Sequence, residues 1–245
     1  MRAFAIGLDL GREQDFSALS VVEYVEALPA GVDPGWWLRR VEEVAAYRAA
    51  GHWEWAASKA AALPTARLEH HVRHLQRWPL GTRYLDVVDE VGALVRTTFE
   101  EDDRTYLVAD RTGVGYSVEE LIIAAYRRKD LPLGYRPTFA TITGGEEQNN
   151  PSPTYWHIPK KDLISTLQVG LQNGTLKVAA GIPLGEVLER EFMAYRMKIT
   201  QAGRASYDIA RKEGEGHGDL LMATALALQF FLPSRKRLTV GTHER

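Results

Sequence analysis

The sequence predicts a mixed α/β fold: a central mixed β-sheet flanked by helices, with a helical insertion between the second and third strands. Three observations carry this. Two short apolar runs, Ala3–Asp9 and 105–110, each end in an aspartate. Strand-like segments first follow one another and later alternate with helical patterns. A stretch rich in alanine and tryptophan, about 26–67, interrupts the early strands.

Taken in order, the apolar run at 3–9 reads as a buried strand, and 17–24 as its hairpin partner. Pro29, Gly31, Pro34 and Gly35 break the chain, and 36–63 holds one or two helices split near Gly51. Residues 68–78 read as a third strand, closed by Pro79 and Gly81. Leu85, Val88, Val91 and Val95 share one face of a helix over 82–99. Residues 105–110 repeat the opening strand design. Ser117 and Glu120 form a capping box that starts a helix reaching about Lys129. A strand at 137–143 is followed by a polar loop, 144–157, and then by a helix entered at Pro159 and ended by Asn173-Gly174. A helix at 186–195, a hairpin formed by 196–199 and 205–209, and a last apolar helix beginning near Asp219 complete the chain. No 20–50-residue repeat is visible, so the expectation is one domain over 1–245 with a polar tail at 234–245.

Composition excludes several classes. Thirty basic residues stand against 32 acidic ones, and 45% of the chain is apolar, so it is neither a disordered chain nor a fibre. Without cysteine there is no disulfide framework and no thiolate-held metal. The longest apolar stretch, 220–232, is shorter than the roughly 20 residues a bilayer span needs. No membrane contact is expected. Gly-x-x-x-x-Gly-Lys-[Ser/Thr] and Gly-x-Ser-x-Gly are both absent, which excludes a P-loop ATPase and a nucleophile-elbow hydrolase.

Asp9 and Asp110 end apolar strands, and Asp219 opens an apolar helix. An acid beside such a run is costly to desolvate unless it is paired or holds a metal. Carboxylates brought together repel, and a hard divalent cation such as Mg²⁺ removes that conflict. Asp219 also gains from the positive end of its helix. Taken singly, each of the three also fits a strand-end turn or a helix cap. Asp15 fits a turn cap best and is a candidate outer ligand. His70, His71 and His74 lack the spacing of a helical zinc pair and read as surface or packing residues. His217 stands two residues before Asp219, placed to touch phosphate or water. Lys160 and Lys161 fall in a first helical turn, where the macrodipole disfavours cations; with Arg111 they form a candidate track for backbone phosphates. Trp36, Trp37, Trp53 and Trp55 are expected to pack inside the inserted helices.

In this order, Gly7-Leu-Asp9-Leu-Gly11, Leu107-Val-Ala-Asp110-Arg-Thr-Gly-Val-Gly115, Ile158-Pro-Lys-Lys-Asp-Leu163 and His217-Gly-Asp219-Leu-Leu-Met-Ala223 resemble the nuclease domain of the large terminase proteins of tailed phages and prophages. The resemblance covers nearly the whole chain apart from the insertion and the tail. It implies an RNase H-like fold with catalytic acids at one edge of the sheet, and two divalent cations, Mg²⁺ or Mn²⁺, held by Asp9, Asp110 and Asp219 with Asp15 as an auxiliary. It implies a metal-dependent endonuclease that cuts concatemeric double-stranded DNA, with Lys160, Lys161, Arg111 and His217 on the DNA backbone. The implied partners are a packaging ATPase domain, a small terminase subunit and a portal, in the cytoplasm of a bacterial host. Two departures stand out. Gly218 occupies the place where the family often has the first aspartate of His-Asp-Asp, and Met1 directly precedes the first nuclease strand. Gly7 to Gly11 also look like the first phosphate loop of an actin-like or sugar-kinase-like ATP phosphotransferase, although one 245-residue domain is short for two lobes closing on ATP. A Holliday-junction resolvase is the other alternative.

Overall fold

The computed structural model describes residues 2–11, 15–113, 115–145, 147–202 and 218–231. An eight-stranded mixed sheet runs in the order β6-β7-β5-β4-β1-β2-β3-β8. Its strands are β1 (Ala3–Asp9), β2 (Ala18–Ala27), β3 (Arg67–Arg77), β4 (Arg104–Asp110), β5 (Thr138–Thr143), β6 (Asn149–Ser152), β7 (Tyr155–Pro159) and β8 (Leu176–Val178). β1 and β2 form the antiparallel hairpin, with Gly7 opposite Ser20. β4 lies parallel to β1, β5 parallel to β4, and β7 parallel to β5. Four strand ends therefore open onto one edge.

Period-2 alternation sorts the strand residues to two faces. Phe4, Ile6 and Leu8 of β1 join Leu107 and Ala109 of β4 in a core with helices α3 (Tyr84–Thr98) and α4 (Gly115–Arg128). Ala5 and Val108 face the opposite core, with α5 (Lys160–Gln172), α6 (Gly185–Ala202) and α7 (Asp219–Phe231). The last helix is buried on nearly every side, as its apolar composition requires. It lies directly on Gly7, where an added Cβ would stand 1.8 Å from the Ala223 carbonyl oxygen. Its polar anchor is Thr224, whose hydroxyl bonds the Ser20 hydroxyl at 3.0 Å and the Leu220 carbonyl at 2.8 Å. Thr224→Val is expected to lower stability by about 1–2 kcal/mol in urea unfolding, because it leaves the fully buried Ser20 hydroxyl without this partner.

A second compact unit, Val25–Glu69, carries α1 (Pro34–Ala49) and α2 (Trp53–Ala61). Asp33 caps α1 by accepting the Trp36 N–H at 2.6 Å, with proline in the first turn. Glu43 binds Lys59 across the two helices at 2.7 Å. The tryptophans depart from expectation. Trp53 and Trp55 are 67% and 66% exposed and Trp36 is 39% exposed, while Val44 and Ala56 supply the buried contacts. Two short helices have too little interior for several indoles.

Other elements correct the sequence reading. Residues 149–159 form β6 and β7 rather than a loop. Their Asn, Pro and Ser residues conceal strands that exist because β5 offers a free edge, with Pro151 on the outermost strand. Residues 196–199 continue α6 instead of starting a hairpin, and 205–209 lie outside the described residues. The helix expected to begin at Ser117 begins at Gly115, so Ser117 sits within its first turn and not at its cap. The short β8, beside β3, had no sequence signal of its own.

Candidate metal centre

Register brings the first two acids together. Leu8 pairs with Ala109, so Asp9 and Asp110 end neighbouring parallel strands about 4.8 Å apart. The alternation that sends Leu8 and Ala109 to one core turns Asp9 and Asp110 to the α7 face. Asp219 is the first residue of α7, and Ala223 and Ala227 follow it over Gly7. The helix start thus lies at the C-terminal ends of β1 and β4. Its positive pole favours negative charge at that edge.

The electrostatics match this grouping. Asp9 is held well above the ordinary carboxylate range, first by burial and then by repulsion from Asp110, Asp219, Glu191 and Asp15. Burial pushes Asp110 up to about 6, against the opposing effect of its hydrogen bonds to Thr112. The Thr112 N–H donates to Asp110 Oδ1 at 2.7 Å, in the turn that ends β4. Asp15, beside a cleft lined by Gly11, Ser17, Thr82 and Tyr84, contributes to the field on Asp9 from the loop after β1.

Glu191 is the member of this group that sequence reasoning missed. It is 6% exposed on α6, and its Oε2 accepts the Leu221 N–H at 2.8 Å. Burial raises its pKa to about 7; the bond to Leu221 opposes this, Asp219 adds to it, and Arg77 lowers it. Its Oε1 is buried without a hydrogen-bond partner among the described residues. A signal existed in the sequence. Leu188, Glu191 and Tyr195 fall on one helical stripe, and an acid in an apolar stripe calls for a reason.

The cationic residues are distributed differently. Lys160 and Lys161 open α5 directly after β7, whose end faces the same edge as Asp9 and Asp110. From the strand register, Lys160 lies on the order of 15 Å from Asp110 along the backbone. Arg111 points to the other face: its guanidinium bonds Glu119 at 3.2 Å and lies 5.3 Å from the Tyr155 ring centre. The Tyr155 hydroxyl donates to the same Glu119. His217 lies outside the described residues. His70 packs against Tyr24 and Phe231, each at 5.8 Å, with its pKa lowered by burial, which agrees with a packing role. Gly218 has φ 86°, a left-handed conformation in which an aspartate would be strained. That backbone demand accounts for glycine at this position.

The donor set fits a hard divalent cation: carboxylate oxygens only, mutually repelling, with a buried oxygen of Glu191 lacking a hydrogen bond. Among the described residues, no three histidine or acidic side chains already stand at ligating distance of a common point. Cation binding therefore requires the carboxylates to rotate inward. A pH dependence follows for the metal-free protein. Groups whose folded pKa is raised bind more protons folded than unfolded, so stability falls as pH climbs from about 4 to about 7. Asp110 alone corresponds to roughly 3 kcal/mol, from a shift of about two pH units. Thermal melts in EDTA are expected to show Tm falling between pH 5 and 8, and Mn²⁺ at pH 8 is expected to restore it.

Strand order and direction define an RNase H-like α/β fold with an acidic edge. Compared with solved structures, the chain is similar to the large terminase nuclease from thermophilic phage G20c, with 21% identity over 93% of this chain and 82% of that one, at a TM-score of 0.48. It is also similar to the human cytomegalovirus terminase nuclease domain in a Mn-soaked crystal, with 9% identity over 91% and 82% and a TM-score of 0.44. No family model and no curated protein matches the sequence. Among the described residues, no helix is long and apolar enough to cross a membrane.

Proposed function

We propose that the chain is a metal-dependent DNA endonuclease of the large-terminase type, cutting concatemeric double-stranded DNA during viral genome packaging. The observation that carries this reading is the grouping of Asp9, Asp110 and Asp219 at one sheet edge, with each carboxylate supplied by a different element. The ordered motifs around these acids support it independently.

Asp9, central in the group, would bridge two cations, with Asp110 and Asp219 each favouring one and Asp15 as an outer group. Bound there, Mg²⁺ or Mn²⁺ would activate the attacking water and stabilise the leaving 3′ oxygen of a phosphodiester. The chain's own contribution is positional. The β1–β4 register sets the spacing of Asp9 and Asp110, and α7 presents Asp219 from above. Lys160 and Lys161 would hold backbone phosphates of the duplex, orienting it without reading bases. Arg111 serves the opposite face by fixing Glu119. His217 would stand beside the phosphate ahead of Asp219. In this reading the chain works with a packaging ATPase domain, a small terminase subunit and a portal.

Purified protein is expected to nick and linearise supercoiled plasmid with Mn²⁺ or Mg²⁺, to stop in EDTA, and to lose affinity for DNA steeply with salt. ATP-dependent phosphate release without DNA would instead favour the phosphotransferase reading. A strong preference for four-way junctions would favour the resolvase.

A further inference from the structure

We propose that Glu191 is a positioning residue for Asp219: it caps the first turn of α7 from a neighbouring helix and so fixes where the third acid stands. The inference rests on the metal-centre reading above.

A helix start leaves its first N–H groups without intrahelical partners, and the residue just before the helix ordinarily satisfies one of them with its side chain. In α7 that residue is Gly218. Its carbonyl accepts the Met222 N–H at 2.8 Å, but it has no side chain to offer. The bond an N-cap side chain makes to the third helical residue is made here by Glu191, which accepts the Leu221 N–H at 2.8 Å. Both partners are buried, so water is a poor substitute. The rest of α7 is anchored separately, by Thr224 on Ser20 and by close contact with Gly7. The turn carrying Asp219 is therefore the part of the helix that depends on Glu191. A local cap would need a side chain at position 218, where the left-handed backbone favours glycine.

The test compares Glu191→Ala with Glu191→Gln, whose amide oxygen can still accept the Leu221 N–H. Two measurements are made without DNA: Mn²⁺ affinity by titration calorimetry, and amide hydrogen exchange along α7. The alanine variant is expected to exchange Leu221 faster while Ala225 to Leu228 stay protected. It should bind Mn²⁺ about 10-fold or more weakly, the usual scale for losing an orienting partner at a metal site. Glu191→Gln should recover most of both properties. Wild-type Mn²⁺ affinity in Glu191→Ala would overturn the proposal and leave Glu191 a purely structural cap. Glutamine failing as badly as alanine would also overturn it, because the carboxylate would then act by its charge, as a ligand. A wild-type protein that binds no Mn²⁺ would instead remove the metal-centre reading, and this inference with it.

Discussion

Replacing Asp110 by asparagine is expected to abolish plasmid nicking while leaving the protein folded. The substitution keeps the side-chain shape, and the amide oxygen can still accept the Thr112 N–H that the aspartate accepts at 2.7 Å. What it removes is a negative charge from the group around Asp9. Cleavage should fall by at least ~100-fold, since losing even an outer partner of a metal ligand costs about 10–100-fold. Metal-free stability should move the other way. Burial holds Asp110 up at about 6, so the ionised carboxylate destabilises the folded state at neutral pH. Without that charge, Tm in EDTA at pH 8 should equal or exceed that of the wild type. A stabilised but inactive variant is the mark of an acid placed for chemistry. Asp9→Asn should behave likewise. Unaltered cutting by both variants would remove the proposed function.

Gly7→Ala is expected to cause the largest loss of stability from a single methyl group. The new Cβ would lie 1.8 Å from the Ala223 carbonyl oxygen and 2.7 Å from the Ala227 nitrogen. Both are backbone atoms in the middle of a buried helix, so no side-chain rotation relieves the clash. Overpacking of a core costs about 1–3 kcal/mol and occasionally more, and this site belongs at the upper end. Urea unfolding should show a drop of about 3 kcal/mol or insoluble protein. In any soluble fraction, Mn²⁺ binding should weaken with stability, because α7 can answer only by lifting from β1 and taking Asp219 with it. A soluble variant with wild-type stability would show that the helix does not rest on the strand as described.

The parts of the centre legible in the sequence share one property: each acid sits where a local pattern changes. Asp9 and Asp110 close apolar runs, and Asp219 starts one. The strand ends and the helix start followed from those patterns, and β1 and α7 were legible nearly to the residue. Glu191 lies inside a helix among other glutamates, so only its place on the apolar stripe of Leu188 and Tyr195 distinguished it. β6 and β7 were hidden because their residues have little strand preference of their own, and the ladder with β5 stabilises them. The tryptophans misled for the opposite reason. Large apolar rings predict burial only where there is a core large enough to receive them, and the inserted unit offers Val44 and Ala56. The roles of Lys160 and Lys161 depend on a partner molecule, which no periodicity encodes.

The bond between Ser20 and Thr224 joins residues 204 positions apart. The first strand and the last helix of the described chain must meet before the acids can act together. A nascent polypeptide emerging from the ribosome therefore carries Asp9 and Asp110 long before it carries Asp219. Contacts of such long range close late in folding. An endonuclease built this way stays harmless to nearby DNA during its own synthesis, and arms itself only when translation of the final helix is complete.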